Sequence, residues 1–546
     1  GISYPSYAPN LGSGTVQRNS SDGMSLSVTN TITYRFDIDN KHMFTFLAGQ
    51  EGLDYRYEAF SLQTKDQNND KLVNISSSPR ATRWSDTTDD NYAYLSFFGR
   101  AEYSYSDRYY ADFSLRTDGS SRFGASNRWA GFWSVGFMWN LRNEKFMENS
   151  RRWLTLAQIA VSTGTSGNSE IPNYEHLALV TGGQNYFGNA GIAPTQPGNE
   201  ELSWEKLWTT NVALHLGFWN RLNLDVELYN KKTTDMLMAF PTAPSLGYSS
   251  YYANVGDMSN KGIEVDLNFT PIRSKNVQWD INVNLTHLKN KIISLPPERR
   301  TKEVEGYYGY AGSSFFYGQG LPLYTFHMKK YAGVSEDGRS MWYKDVKDKD
   351  GKPTGERTTT TAHSEASDYL CGNAIPDLYG GFGTSVSFFG FDFGINFNYQ
   401  IGGKIYDSGY AAAMSTPTPT GSIGVNWHKD ILNAWTPENP NSNIPRMQYG
   451  DSNTTDTSDR FLIDASYLTL QNINFGYTLP SKFTQKFGVG KMRIYLACEN
   501  VFYWSKRKGL DPRYADNTDN QGVLGTSNYA TYSPIRTISG GINIQF

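Results

Sequence analysis

The chain has 546 residues, 15% of them aromatic, and its 50 Lys and Arg nearly balance 53 Asp and Glu for a formal net charge of -3. That balance excludes the basic footprint of a nucleic-acid-binding protein, no apolar run approaches the roughly 20 residues of a spanning helix, and the two cysteines, Cys371 and Cys498, have no metal-type spacing and make no disulfide framework. A mean hydropathy of -0.55 alongside so many rings suits strands with aromatic belts and long wet loops, so a membrane-spanning reading has to be a β-barrel.

Taken in order, Met24, Leu26, Val28, Ile32, Tyr34, Phe36 and Ile38 alternate with polar residues, which predicts a strand with one apolar face. A turn at Asp39-Asn40 returns it through Phe44 and Phe46, and residues 50–90 read as a long polar loop. Ala93 to Tyr105 and Tyr109 to Arg116 form the next expected hairpin. Trp129, Trp133, Val135, Phe137 and Trp139 then share one parity, and Trp153 to Val161 follows. After a second expected loop, residues 162–203, Thr210 to Phe218 and Leu222 to Leu228 pair about Trp219-Asn220-Arg221. Ile263 to Phe269 faces Trp279 to Leu285.

The clearest alternation runs from Gly380 to Ile401. Phe391, Phe393, Ile395, Phe397, Tyr399 and Ile401 hold one parity and Asp392, Gly394, Asn396, Asn398 and Gln400 the other, after a break at Phe389-Gly390. In a membrane barrel that means lipid on one face and a wet lumen on the other. Leu468 to Leu479, Met492 to Phe502 and Ile535 to Phe546 complete the series. Tyr324 to Tyr331 and Ser340 to Tyr343 read either as a further strand pair or as an excursion from a loop.

Short and long connections alternate, the arrangement of periplasmic turns and extracellular loops in outer-membrane barrels. The count is about 15 strands without the 324–343 segment and about 17 with it, against the even totals of complete single-chain barrels. If short turns are periplasmic, both the first and last strands run downward, so residues 1–23 are expected outside the cell and earlier strands to be supplied from elsewhere. With neither an initiator Met nor a signal peptide, the chain is expected to be a mature or cut product.

Several stretches resemble the SusC/RagA-type TonB-dependent transporters of the Bacteroidetes outer membrane. They are RTDGSSRFG at residues 116–124, SWEK at 203–206, NKGIEVDL at 260–267, GLPLYTF at 320–326, the long run at 376–407, WTPENP at 435–440, YLTLQNINFGYTLP at 467–480 and the closing Phe546. The resemblance implies an all-β transmembrane barrel of about 22 strands with a plugged lumen, of which residues 1–546 would be the C-terminal part. It also implies partners: a plug-bearing N-terminal portion of the same transporter, TonB acting through that portion, and a SusD-like surface lipoprotein over the barrel. The implied function is import of oligosaccharides or peptides. A passive structural or adhesive barrel and a soluble multi-sheet glycan-binding protein are the alternatives.

Tyr307, Tyr308, Tyr310, Phe315, Phe316 and Tyr317 crowd one expected extracellular loop, and Tyr248, Tyr251 and Tyr252 another. Rings of this kind stack on sugars or hold peptide side chains, which makes these residues candidates for substrate or lid contact; aromatics also serve simply to pack long loops together. The terminal strand ending in Phe546 resembles the signal read by barrel-insertion machinery. Asp348, Asp350 and Gly351 resemble part of a calcium loop, but Val346 and Arg357 occupy positions that need acids, and a solvated Asp-Gly turn is expected instead. Asp459 and Asp464 lie close enough in sequence to be imagined as glycosidase carboxylates, although loop acids are usually just solvated. No HExxH, GxSxG or phosphate-cradling loop is present. Neither an enzyme, a metal nor a cofactor is expected.

Overall fold

The computed structural model describes residues 15–66, 74–242, 244–248, 250–416, 426–451, 454, 456–506, 511–514, 525 and 535–546. Fifteen strands follow one another as neighbours, in sequence order, in one large sheet. They are β1 (Val16–Ile38), β2 (His42–Thr64), β3 (Arg83–Tyr105), β4 (Tyr109–Ser120), β5 (Trp129–Asn140), β6 (Leu154–Asn168), β7 (Glu205–Phe218) and β8 (Leu222–Thr234). The remainder are β9 (Asp257–Arg273), β10 (Val277–Ser294), β11 (Leu378–Phe388), β12 (Phe391–Ile401), β13 (Tyr467–Thr478), β14 (Lys491–Ser505) and β15 (Thr537–Gln545). The chain divides into two compact units, the first comprising residues 1–137, 163–208 and 234–255 and the second the rest.

In the first unit β1 and β2 pair without a break from Val16↔Thr64 to Ile38↔His42, and β2 and β3 from His42↔Tyr105 to Thr64↔Arg83. Asp39 and Asn40 take φ of 55° and 52°, the paired left-handed conformation whose twist matches the flanking strands. The expected loop over residues 50–90 is therefore wrong at both ends, because β2 and β3 stay paired out to Thr64 and Arg83. At 23 residues each, β1 to β3 far exceed the 9–11 that cross a bilayer. Beyond the hydrocarbon the ladders on either side still pair the backbone of β2 along its whole length, but the side chains no longer need to alternate. The loop expected at residues 162–203 shrinks likewise, with β6 running to Asn168 and a hairpin of residues 179–186 and 189–196 inside it.

In the second unit β9 and β10 pair as expected, with Val265 opposite Leu285 and Phe269 opposite Ile281. Phe389 and Gly390 have φ of 45° and 91° and turn β11 into β12, which carries Phe382 onto Phe397 with ring centroids 4.8 Å apart. The opposite parity is polar: Thr270 Oγ1 donates to Asp280 at 2.7 Å, Gln278 Nε2 to the same carboxylate at 2.8 Å, and Asn396 Nδ2 to Asn472 Oδ1 at 2.9 Å. The segment between β10 and β11 is an excursion. Residues 325–329 pair with 368–373, and 340–347 lie between 331–334 and 353–360. These strands do not join the large sheet, whose described count stays at fifteen.

Candidate substrate- and lid-contacting loops

The excursion is a small folded body with its own core, which decides what its aromatic residues do. Residues 307–311 and 316–318 are antiparallel strands. Successive side chains on a strand leave on opposite faces, so Phe315 and Phe316 enter two different cores. Phe315 packs with Phe326, Met328, Tyr369, Cys371 and Ala374, and Phe316 with Val304 and Leu321. Both are buried. Two of the residues read from sequence as candidate contacts thus hold the body together instead.

The four tyrosines of this loop divide. Tyr310 and Tyr317 stack at 5.0 Å, with the Arg299 guanidinium 4.4 Å above the Tyr310 ring, and burial pushes both phenols up. Tyr307 and Tyr308 remain exposed, at 39% and 53%. A hydrogen bond to the Glu303 carboxylate raises the Tyr308 phenol. Both of these rings face solvent, unlike those of Phe315 and Phe316.

Beside them lies a cleft of about 700 Å³ whose lining includes Lys302, Glu303, Lys344, Asp345, Arg357 and Tyr369. Its charges are largely paired: Lys344 with Glu365 at 2.8 Å, Lys302 with Asp368 at 3.7 Å, and Lys329 with Asp368 at 2.9 Å. Tyr369 donates to Asp345 at 2.6 Å while Arg357 sits 4.4 Å over its ring. Burial, reinforced by that carboxylate, pushes its phenol up to about 12. Burial likewise pushes the Cys371 thiol up to about 11, leaving a protonated sulfur without the thiolate a nucleophile needs. No spacing in the sequence links Asp345, Arg357 and Tyr369: the pairing of 340–347 with 353–360 sets Asp345 opposite Arg357, and the separate 325–329/368–373 pair carries Tyr369.

The other aromatic loop belongs to the first unit. Residues 237–241 and 250–254 form a hairpin. Tyr251 meets Phe240 edge-on at 5.7 Å, and Tyr252 packs against a core of Phe123, Phe132, Ile171, Leu202 and Trp204. Tyr248, whose carbonyl accepts the Thr242 hydroxyl, is half-buried with them. The same core explains two of the family-like stretches. Phe123 of RTDGSSRFG lies 5.4 Å from Trp204 of SWEK, Trp204 Nε1 donates to the Arg128 carbonyl at 3.0 Å, and Glu205 accepts from the Leu237 N–H at 3.0 Å.

The remaining motifs are structural. Asp348 Oδ1 accepts from the N–H groups of Asp350 and Lys352, both at 2.9 Å, and closes the turn at Gly351. Asp459 accepts from the Tyr331 N–H at 2.8 Å, which ties it to the excursion strand 331–334, and Asp464 accepts from the Ser466 N–H at 2.8 Å within its own turn. Among the described residues no group of three or more His, Cys, Asp or Glu is placed to hold a metal ion. Phe546 follows β15 and is 91% exposed.

The family model described as TonB dependent receptor-like, beta-barrel, matches residues 2–501. TonB-dependent receptor P3 of Formosa agariphila is 30% identical over 479 residues, covering 83% of this chain and 45% of that protein. TonB-dependent receptor SusC of Bacteroides thetaiotaomicron is 28% identical over 441 residues, covering 78% and 42%. The solved structure of the RagAB peptide transporter superposes with a TM-score of 0.84 at 31% identity, over 97% of this chain and 56% of that one. This chain spans about half the length of the curated relatives it matches.

Proposed function

Because this chain belongs to the TonB-dependent receptor-like β-barrel family of the bacterial outer membrane, we propose that it supplies barrel wall and surface loops to a SusC/RagA-type importer of oligosaccharides or peptides. Residues 1–546 are then the C-terminal part of the barrel. A plug-bearing N-terminal portion completes it, TonB acts through that portion, and a SusD-like lipoprotein covers the mouth. The observation that carries most of this reading is the likeness to the RagAB peptide transporter, which extends over 97% of the chain, loops included. The exposed rings of Tyr307 and Tyr308 support their contact with cargo or lid, and the half-buried Tyr248, Tyr251, Tyr252, Tyr310 and Tyr317 back such contacts rather than make them. The polar parity of β10 to β13 suits a wet lumen, and the apolar parity suits outer-membrane lipid. The role is carriage rather than catalysis, since the acids weighed as catalytic accept structural hydrogen bonds, Asp459 from the distant Tyr331 N–H and Asp464 from the Ser466 N–H of its own turn.

The test is uptake by cells carrying the full transporter, with and without TonB. Energised import predicts that cargo uptake stops when TonB is deleted while the barrel remains in the outer membrane. Uptake that persists unchanged supports the passive structural or adhesive barrel instead.

A further inference from the structure

With the strands antiparallel in sequence order, successive connections alternate between the two ends of the sheet. Most of those at the short-turn end are tight: Asp39 to Lys41, Ser106 to Arg108, Trp219 to Arg221, Ser274 to Asn276 and Phe389-Gly390. Two are helical instead, and both belong to the second unit. Residues 481–487 join β13 to β14 as one α-turn continued by a 3₁₀ turn, and the link from β5 to β6 contains 3₁₀ turns at 141–143 and 145–150.

These two elements share a feature no other described short turn has. Each carries a Lys-Phe dyad with the ring directed into solvent: Lys145-Phe146, and Lys482-Phe483 repeated as Lys486-Phe487. Phe146, Phe483 and Phe487 are 67%, 52% and 70% exposed, and the three lysines are exposed beside them. Neither element is loosely held. Thr484 and Val489 are buried beneath the first, and the Val489 N–H donates to the Thr484 carbonyl at 3.2 Å. In the second, Glu144 is buried and accepts Trp139 Nε1 at 3.2 Å, while Arg142 Nε donates to the Leu154 carbonyl at 3.2 Å. Phe483 and Phe487, one helical turn apart, pack edge-on at 5.4 Å and form a single apolar surface.

Rigid turns that present rings to water beside cations have the composition of an interfacial anchor, with the ring in the acyl boundary and the ammonium at the headgroup. The occupant follows from what adjoins them. At this end the exposed rings of Phe388, Phe391 and Phe475 belong to the apolar parity of β11 to β13, which faces lipid in this family, and residues 481–487 begin three residues after β13 ends. We propose that the turns at 481–487 and 145–150 are interfacial anchors seated in the phospholipid leaflet on the periplasmic side. Phe146, Phe483 and Phe487 enter the acyl boundary, and Lys145, Lys482 and Lys486 meet the headgroup phosphates. This rests on outer-membrane residence alone and stands or falls separately from transport.

The experiment places p-benzoylphenylalanine at position 146, 483 or 487 of the full-length transporter in its native outer membrane, one site at a time, followed by irradiation and mass spectrometry of the adducts. Position 475 serves as the lipid-facing control and Tyr449, on the connection at the opposite end, as the control away from this leaflet. The expected result is a phospholipid adduct at 146, 483 and 487 comparable in yield to that at 475, and severalfold above that at 449. Adducts to a periplasmic protein, or no lipid adduct while position 475 is labelled, overturn the proposal. In a second arm the purified transporter is reconstituted in vesicles with or without phosphatidylglycerol. K482Q/K486Q should at least halve the lipid-adduct yield at 487 when the anionic lipid is present and leave the yield at 475 unchanged; an unaltered yield at 487 refutes the role given to the lysines.

Discussion

Arg493 of β14 reaches across β13 to grip Asp392 of β12 with both arms of its guanidinium, Nε to Oδ1 at 2.9 Å and a second bond from the terminal nitrogen to Oδ2. The residue of β13 beneath it is Gly476, which lies opposite Asp392. A β-carbon there would collide with the guanidinium's terminal nitrogen and stand 2.7 Å from its carbon. Glycine at 476 is what lets the pair form over the intervening strand.

The first prediction isolates that dependence. A partly exposed ion pair contributes roughly 0.2–1 kcal/mol, while forcing a side chain into occupied space costs about 1–3 kcal/mol. Gly476→Leu should therefore destabilise the barrel more than Arg493→Ala does, and much of its cost should vanish in the Arg493→Ala background. Denaturant unfolding of the four proteins of this double-mutant cycle measures the coupling. Strictly additive effects would show that Gly476 serves some other purpose.

A second prediction concerns the two faces of β12. Phe397 stacks on Phe382 on the apolar parity, and Asn398 belongs to the polar one. A cation on the lipid face near mid-membrane costs about 2–4 kcal/mol, so Phe397→Arg should cost several times more than Asn398→Arg. Folding yield into bilayers reads the difference, and equal losses at the two positions would contradict the assignment of lipid and lumen.

Within the aromatic loop, core and surface should separate cleanly. Phe316→Ala removes a fully buried ring and should cost about 3–5 kcal/mol, opening residues 302–321 to protease. Tyr307→Ala combined with Tyr308→Ala should leave proteolysis unchanged and weaken cargo or lid binding at least threefold, as measured by titration of the assembled transporter. Unchanged binding would remove both tyrosines from the contact surface.

The same loop should loosen in acid. Burial, helped by Lys302 and Lys329, lowers the pKa of His327, whose Nε2 lies 3.4 Å from Lys302 Nζ and is positioned to accept from it as a neutral ring. Its folded value lies below the ordinary 6.5, so the unfolded loop takes up a proton first and stability falls as pH drops through that value. Burial opposes ionisation of the neighbouring Asp368, but Lys329 and Lys302 outweigh it and hold the carboxyl below 3.8, so its contribution is lost only at lower pH. Amide protection over 325–329 and 368–373, taken relative to the intrinsic base-catalysed exchange rate at each pH, should fall between pH 7 and pH 5, and His327→Gln should flatten that dependence. An unaltered profile in the variant would place the acid sensitivity elsewhere.

What could be read from sequence was what depends on neighbours a few positions away. The alternation of Phe391 to Ile401 settles which side chains share a face, because successive residues on a strand point opposite ways whatever they pair with. The turns at Asp39-Asn40 and Phe389-Gly390 were legible for the same reason, since left-handed backbone suits Asn, Asp and Gly, although Phe389 adopts it as well. Tertiary structure decided everything that rests on distant partners. Polar residues hid the outer half of β3, whose pairing with β2 needs only backbone groups, whereas β2 itself keeps an alternation of Leu53, Tyr55 and Tyr57 with Asp54, Arg56 and Glu58. Whether 325–329 pairs with 340–347 or with 368–373 depends on which contact closes the loop's core, and the core in turn makes Phe315 and Phe316 structural and leaves Tyr307 and Tyr308 outside. The glycine at 476 carries no local signal, because the guanidinium that requires it comes from another strand.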